Sequence, residues 1–204
     1  MKTCILWPLI LFSVMLTGQQ RFVQGGQAPI KTNTSACYLG FATGINNYSG
    51  LLGFEVEVPV HSRLSLFAVG GVGGWGYKLG GGLQYYLKKP QFGSSLSLGY
   101  TAAFGLSEPL KFEESDSQGN ASGVVHYIKL NTASTINFLY HYNFHVGSGN
   151  KIALGGGWAI PLQQKPYELV GSNSPNGLST TSQTVMEILQ PGGFVISFKF
   201  LFGI

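Results

Sequence analysis

Charge is what this chain has least of. Only 10% of its 204 residues are Asp, Glu, Lys or Arg, against roughly 25% in ordinary soluble domains, so a surface wholly exposed to water is hard to build from it. Cysteine is almost absent as well. Cys4 and Cys37 are the only two, and Cys37 stands alone if the N-terminal segment is removed, which excludes an internal disulfide and a thiolate metal cluster. Past residue 17 no uninterrupted apolar run reaches the ~18 or more residues that a spanning helix needs. Disulfide scaffold, thiolate metal site and helical membrane protein are thereby set aside. The net charge of +4 falls to +2 on cutting after Gly25, which removes Lys2 and Arg21, and so gives no ground for nucleic-acid binding.

Glycine (30 residues) and aromatics (13%) are abundant instead. At the N-terminus Lys2 precedes the apolar stretch Cys4 to Phe12, continuing to Leu16. A short positive end followed by a hydrophobic core has the form of a secretory signal peptide; as a spanning helix the run is too short. Cleavage is expected after Gly18 or Gly25, and neither place carries the cysteine of a lipoprotein anchor. The expected organisation is a removable segment, residues 1–25, and one domain, residues 26–204.

The end of the chain shows the clearest periodicity. Phe194, Ile196, Phe198, Phe200, Phe202 and Ile204 alternate with Val195, Ser197, Lys199, Leu201 and Gly203, a period of two with one apolar and one partly polar face. Similar segments recur at 36–45, 51–60, 63–72, 76–88, 93–104, 124–144, 151–161 and 192–204, an all-β signature. Eight strands match a small up-and-down barrel, and most exceed the ~9–11 residues that a tilted strand needs to cross hydrocarbon. A barrel also satisfies every backbone hydrogen bond internally, as a bilayer demands.

Connection lengths divide by side. Pro59 to Ser62, Lys89 to Phe92 and His145 to Asn150 are short, whereas Gly105 to Gly123 and Leu162 to Pro191 are long and polar. Short turns on one rim and long loops on the other are expected of an outer-membrane barrel, although Asn46 to Gly50 and Gly73 to Trp75 are short on the long-loop side. Parity sorts the faces. In the second strand Leu52, Phe54, Val56 and Val58 oppose Glu55 and Glu57; in the fourth Tyr77, Leu79, Leu83 and Tyr85 oppose Lys78, Gln84 and Tyr86; in the sixth Ile136, Phe138, Tyr140 and Tyr142 oppose Asn131, Thr135, Asn137 and His141. The third strand is ambiguous, with Leu64, Leu66, Phe67 and Val69 on both faces. Tyr85, Tyr140, Tyr142 and Trp158 suit aromatic girdles at lipid interfaces. The runs Gly80 to Gly82 and Gly155 to Gly157 weaken an ordinary strand, but in a narrow barrel they make room for large interior side chains. The predicted fold is all-β, an eight-stranded antiparallel up-and-down transmembrane β-barrel.

Taken together, the signal segment, eight alternating strands, unequal loops and Phe-rich last strand resemble the small outer-membrane barrels of the OmpA/OmpX type. The Gly- and Tyr-rich strands ending in Phe198-Lys199-Phe200 also look like the generic outer-membrane barrel domains of Bacteroidota. The resemblance covers the whole of residues 26–204 and rests on architecture. It implies a Gram-negative outer membrane, contact with its lipid and lipopolysaccharide, delivery by the barrel-insertion machinery, and a monomer. Such chains often end in phenylalanine, whereas Ile204 stands here.

Five charged residues fall on inward faces: Glu55, Glu57, Lys78, Lys129 and Lys199. They read either as a porin-like polar path for solutes or as a salt-bridged plug, and eight strands enclose about enough space for side chains alone. His126 and His141 lie on one expected strand at odd separation and so face opposite ways; His61 and His145 sit in short turns. Lipid-modifying chemistry at the outer rim needs a histidine converging with a serine or carboxylate, and no such motif is spelled out. Gly71-Val72-Gly73-Gly74-Trp75-Gly76 matches a dinucleotide fingerprint by letter, but a strand rather than a helix follows it, so it reads as a turn. The acidic stretch Glu108 to Asp116 reads as a solvated loop rather than a cation site. Within Gln163 to Gln190, Val185 to Leu189 is expected to prolong the last strand.

These observations favour a non-enzymatic integral barrel at the cell outer membrane, without catalytic, cofactor or metal site, with a structural or surface-interaction role carried by its two long loops. An outer-membrane lipid-modifying enzyme and a secreted lipocalin-like ligand-binding barrel are the alternatives.

Overall fold

The computed structural model describes residues 36–88, 91–115, 121–147, 149–173 and 177–204; the expected signal segment lies outside them. The strands are β1 (Tyr38–Ile45), β2 (Leu52–His61), β3 (Leu64–Gly73), β4 (Gly76–Tyr86), β5 (Gly93–Phe104), β6 (Leu110–Ser115), β7 (Ala121–Leu130), β8 (Ala133–Val146), β9 (Asn150–Pro161), β10 (Tyr167–Ser172) and β11 (Gly193–Gly203), with a helix α1 (Thr180–Leu189) before the last. Eight strands close into a barrel in the order β1-β11-β9-β8-β5-β4-β3-β2. Every neighbour in it is antiparallel. The expected eight-stranded up-and-down barrel is present. The remaining strands form a separate three-stranded antiparallel sheet in the order β10-β7-β6.

Because successive side chains on a strand point to opposite faces, the alternation in the sequence becomes an inside and an outside. On β2, Leu52, Phe54, Val56 and Val58 are exposed while Glu55 and Glu57 are buried. On β4, Tyr77, Leu79, Leu83 and Tyr85 face out and Lys78, Gln84 and Tyr86 face in. On β11, Phe194, Ile196, Phe198 and Phe202 are exposed, and Val195, Ser197, Lys199 and Leu201 are buried. The ambiguous β3 resolves with Leu66 outside and Phe67 and Val69 inside. The outer face is thus a belt of large apolar side chains, with Tyr85 and Tyr142 near one end and Tyr77 and Trp158 near the other.

The interior is full. Phe67, Val69, Leu139, Ala159 and Val195 pack with Tyr48, which reaches in from the β1–β2 connection. The Tyr48 ring packs tilted against Phe67, at 59° and 4.7 Å between centroids, and its hydroxyl lies 3.1 Å from both Ser97 Oγ and the Asn137 carbonyl. Glycine makes this possible. A Cβ on Gly99 would stand 2.8 Å from the Tyr48 ring, one on Gly82 2.9 Å from the Phe67 ring, and one on Gly155 would run into His141. So the glycine runs do leave room for large interior side chains.

The two ends of the barrel differ. The β2–β3, β4–β5 and β8–β9 turns are short and share one end with Tyr38 and Gly203, which pair across the closure. At the other end the β5–β8 and β9–β11 connections carry β6, β7, β10 and α1. Three expectations are corrected there. The strand expected over 124–144 is two: the ladder breaks at Asn131 and Thr132, where the chain leaves the small sheet for the barrel. The stretch from Gly105 to Gly123 is not a plain loop, since it contains β6 and the start of β7. Val185 to Leu189 does not prolong β11 but forms the end of α1, because Ser179 caps the helix and Met186 packs into a second apolar cluster with Trp75, Ala103, Ile128, Leu130 and Ala133. This cluster joins sheet and helix into a cap over the rim.

Candidate functional site

Inside the barrel the charged residues are sorted into separate, nearly complete sets. Lys151 Nζ lies 2.7 Å from Glu57 Oε2, both side chains fully buried. The Tyr86 hydroxyl donates to Glu57 Oε1 and accepts from Lys151 Nζ at 2.6 Å, and the same ammonium stands 4.0 Å above the Tyr38 ring. Register places these groups together, because Tyr38 on β1 pairs with Glu57 on β2, and Lys151 on β9 pairs with Leu201 on β11. Farther along the lumen, Lys199 Nζ meets Glu55 Oε1 at 2.7 Å and lies 5.1 Å from the Phe67 ring centroid. Beyond them, Lys78 Nζ donates to the Asn47 carbonyl at 2.8 Å. A buried charge is costly unless paired and hydrogen-bonded, and four of these five groups meet that condition by pairing with each other.

Of the five residues expected in the lumen, Glu55, Glu57, Lys78 and Lys199 are buried within it, whereas Lys129 is not. Lys129 lies exposed on β7, outside the barrel, opposite Glu168 of β10. It was assigned to the lumen because the sequence shows one long alternating segment where the structure has a break. Lys151 takes the place of the second cation. Parity on β9 gives it away, since Lys151, Ala153 and Ala159 alternate with Leu154, Trp158 and Ile160. Nothing in the sequence marked Tyr48 as an interior residue.

At the cap, a histidine, a carboxylate and serines do converge. Glu114 Oε1 accepts from the Ser179 backbone N–H at 2.9 Å and from the Ser182 hydroxyl at 2.6 Å, and His126 Nε2 lies 3.3 Å away without hydrogen-bond geometry. The Ser182 hydroxyl and then the Ser179 N–H pull the Glu114 carboxyl down to about 2. The order of connection matters here. A serine nucleophile is ordinarily activated by a base such as histidine; here neither ring nitrogen of His126 makes a hydrogen bond, and the Ser182 hydroxyl, donating to Glu114, lies buried in the first turn of α1. What the arrangement does is fasten the N-terminus of the helix to β6. His126 and His141 stand on different elements, the first in the cap and the second buried in the lumen. The stretch Gly71 to Gly76 runs from the end of β3 through the Gly74-Trp75 turn into β4, where Gly76 has φ of 111° and Trp75 Nε1 donates to the Asn131 carbonyl at 2.8 Å.

Among the described residues no three His, Cys, Asp or Glu side chains come together as a metal site. Comparison with protein-family profiles, curated proteins and solved structures gave no match. The class of the chain is therefore set by its own geometry: a small closed β-barrel of eight antiparallel strands.

Proposed function

We propose that the protein is an integral outer-membrane barrel with a closed lumen, whose cap of β6, β7, β10 and α1 is a cell-surface structure with an interaction role. The observation that carries this reading is the inversion of its faces. Large apolar side chains ring the outside, Phe54 at 65%, Trp158 at 56% and Phe138 at 52% exposure among them, while Glu55, Glu57, Lys151 and Lys199 are buried inside. A ligand-binding barrel in water wants the reverse. In lipid this outer face costs nothing, and girdle residues such as Tyr77, Tyr85 and Trp158 suit its two interfaces. With the short turns toward the periplasm, the cap faces outward. The two ion pairs and the inserted Tyr48 oppose conduction, and the cap's wiring favours a non-enzymatic role.

Cell fractionation with detergent extraction, followed by gel mobility of unheated and boiled samples, tests this. Recovery in the outer membrane with a heat-dependent mobility shift is the expected result. A soluble protein in the periplasm or medium would overturn the membrane assignment and favour the secreted ligand-binding barrel.

A further inference from the structure

Beside the cap, a cavity of about 260 Å³ opens at the rim between the β1–β2 turn, the β3–β4 turn and the C-terminal end of α1. Its walls are mostly apolar, with Ile45, Leu51, Ile188 and Leu189 all more than half exposed. Its one charged lining residue is Lys78, itself 95% buried, being 5% exposed. The other interior lysines each hold a carboxylate, Lys151 on Glu57 and Lys199 on Glu55. Among the described residues no carboxylate stands within ion-pair distance of Lys78, whose ammonium is met by the neutral Asn47 carbonyl. The turn that supplies this carbonyl also buries Asn47 Oδ1 and Ser49 Oγ without a partner. A buried cation without a counter-ion is an expensive arrangement, and an anion entering from the cavity relieves it.

We infer that this rim cavity binds a single-chain anionic amphiphile, a carboxylate of the fatty-acid class. Its head group sits on Lys78 and its alkyl chain runs along Ile45, Leu51, Ile188 and Leu189. One lysine matches one negative charge. The volume falls below the roughly 300–1,000 Å³ of drug-sized ligand pockets, which suits one short chain. Ser182 and Met186 face the cap; Ile188 lies on the other side of α1 and Leu189 is its last residue, and both are exposed and wall the cavity. This inference goes beyond the proposed membrane role and does not rest on it, since the cavity is built from rim residues.

The test is titration of octanoate, carrying a 13C label at its carboxyl carbon, into the full barrel. A membrane protein is held in zwitterionic nanodiscs with empty discs as the blank, and a soluble one is used as purified. Octanoate is expected to bind saturably with a shifted carboxyl resonance, at least tenfold tighter than octanol. Lys78→Met is expected to weaken it tenfold or more, with Lys78→Arg restoring most of the affinity. Ile188→Asp, on the exposed side of α1, provides a variant that leaves the lumen untouched and is expected to weaken octanoate as well. Equal affinity for octanol, or indifference to both Lys78→Met and Ile188→Asp, would overturn the proposal. Binding of acetate or inorganic phosphate as strongly as octanoate would overturn it too, by leaving only a bare anion site.

Discussion

Glu57 in the lumen and Glu114 in the cap are both carboxylates that accept hydrogen bonds, yet they are held in different ways. Glu57 faces a buried lysine and a tyrosine, on strands that the barrel closure brings together from distant parts of the chain. Glu114 faces the N-terminus of a single helix and is partly exposed. In the lumen, charge cancels charge and the geometry is imposed by the ladder of backbone hydrogen bonds. In the cap, a carboxylate pins a short element that also packs into an apolar cluster through Met186. The barrel charges are thus held by strands that a closed ladder fixes, and the cap by side chains that meet the rim, Trp75, Ala103 and Ala133 among them.

The largest effect is expected from breaking the lumen. Lys151→Met leaves Glu57 buried and uncompensated, a loss of about 3–5 kcal/mol, read as a lower denaturant midpoint for the compact, unheated gel species. The double variant Glu57→Leu with Lys151→Met is expected to recover most of it, because the penalty lies in the orphaned charge. On the outside, Phe198→Arg is expected to cost about 2–4 kcal/mol if that face meets lipid. A change in bilayer insertion and midpoint checks it, and an unaltered variant would argue that the face meets water.

Smaller effects are expected in the cap. Ser179→Ala removes the N-cap of α1, about 1 kcal/mol. It should raise proteolytic cleavage within residues 177–190 while leaving the barrel midpoint unchanged, which separates the two regions directly. The smallest effect is set by pH. Glu114 titrates at about 2 in the folded protein, below the ordinary 4.5. Its contribution to docking is therefore fully present above about 4.5 and lost as pH falls toward 2. The Trp75 indole resonance, which reports the cap cluster, is expected to hold steady from pH 7 to 5 and to shift only below that window.

Legibility in the sequence follows the same division. Barrel strands announce themselves because each has one face in the core and one outside, so that period two persists for ten or so residues, as from Phe194 to Phe202. Glu55, Glu57, Lys78 and Lys199 followed from parity alone. Lys129 was misplaced because β7 and β8 both alternate, and Asn131-Thr132 is a weak break with neither glycine nor proline. The cap strands β6 and β10 have six residues each, too few for a period to stand out. In α1, Val185 and Ile188 have strand character, and what decides for helix is the Ser179 cap together with the tertiary seat of Met186. Neither the cavity beside Lys78 nor the inward path of Tyr48 has any signature in the order of residues, since both depend on how turns from separate hairpins meet.

One consequence concerns the order of events in folding. The Glu55–Lys199 pair joins residues 144 apart in the chain, and Glu57–Lys151 joins residues 94 apart. Neither glutamate finds its partner while the strands nearby are being laid down. Contacts this distant are slow to form, because the loop between them must be closed first. Closure of β11 on β1 runs through eight residue pairs and carries Lys199 to Glu55, so the seam and this ion pair depend on the same strand.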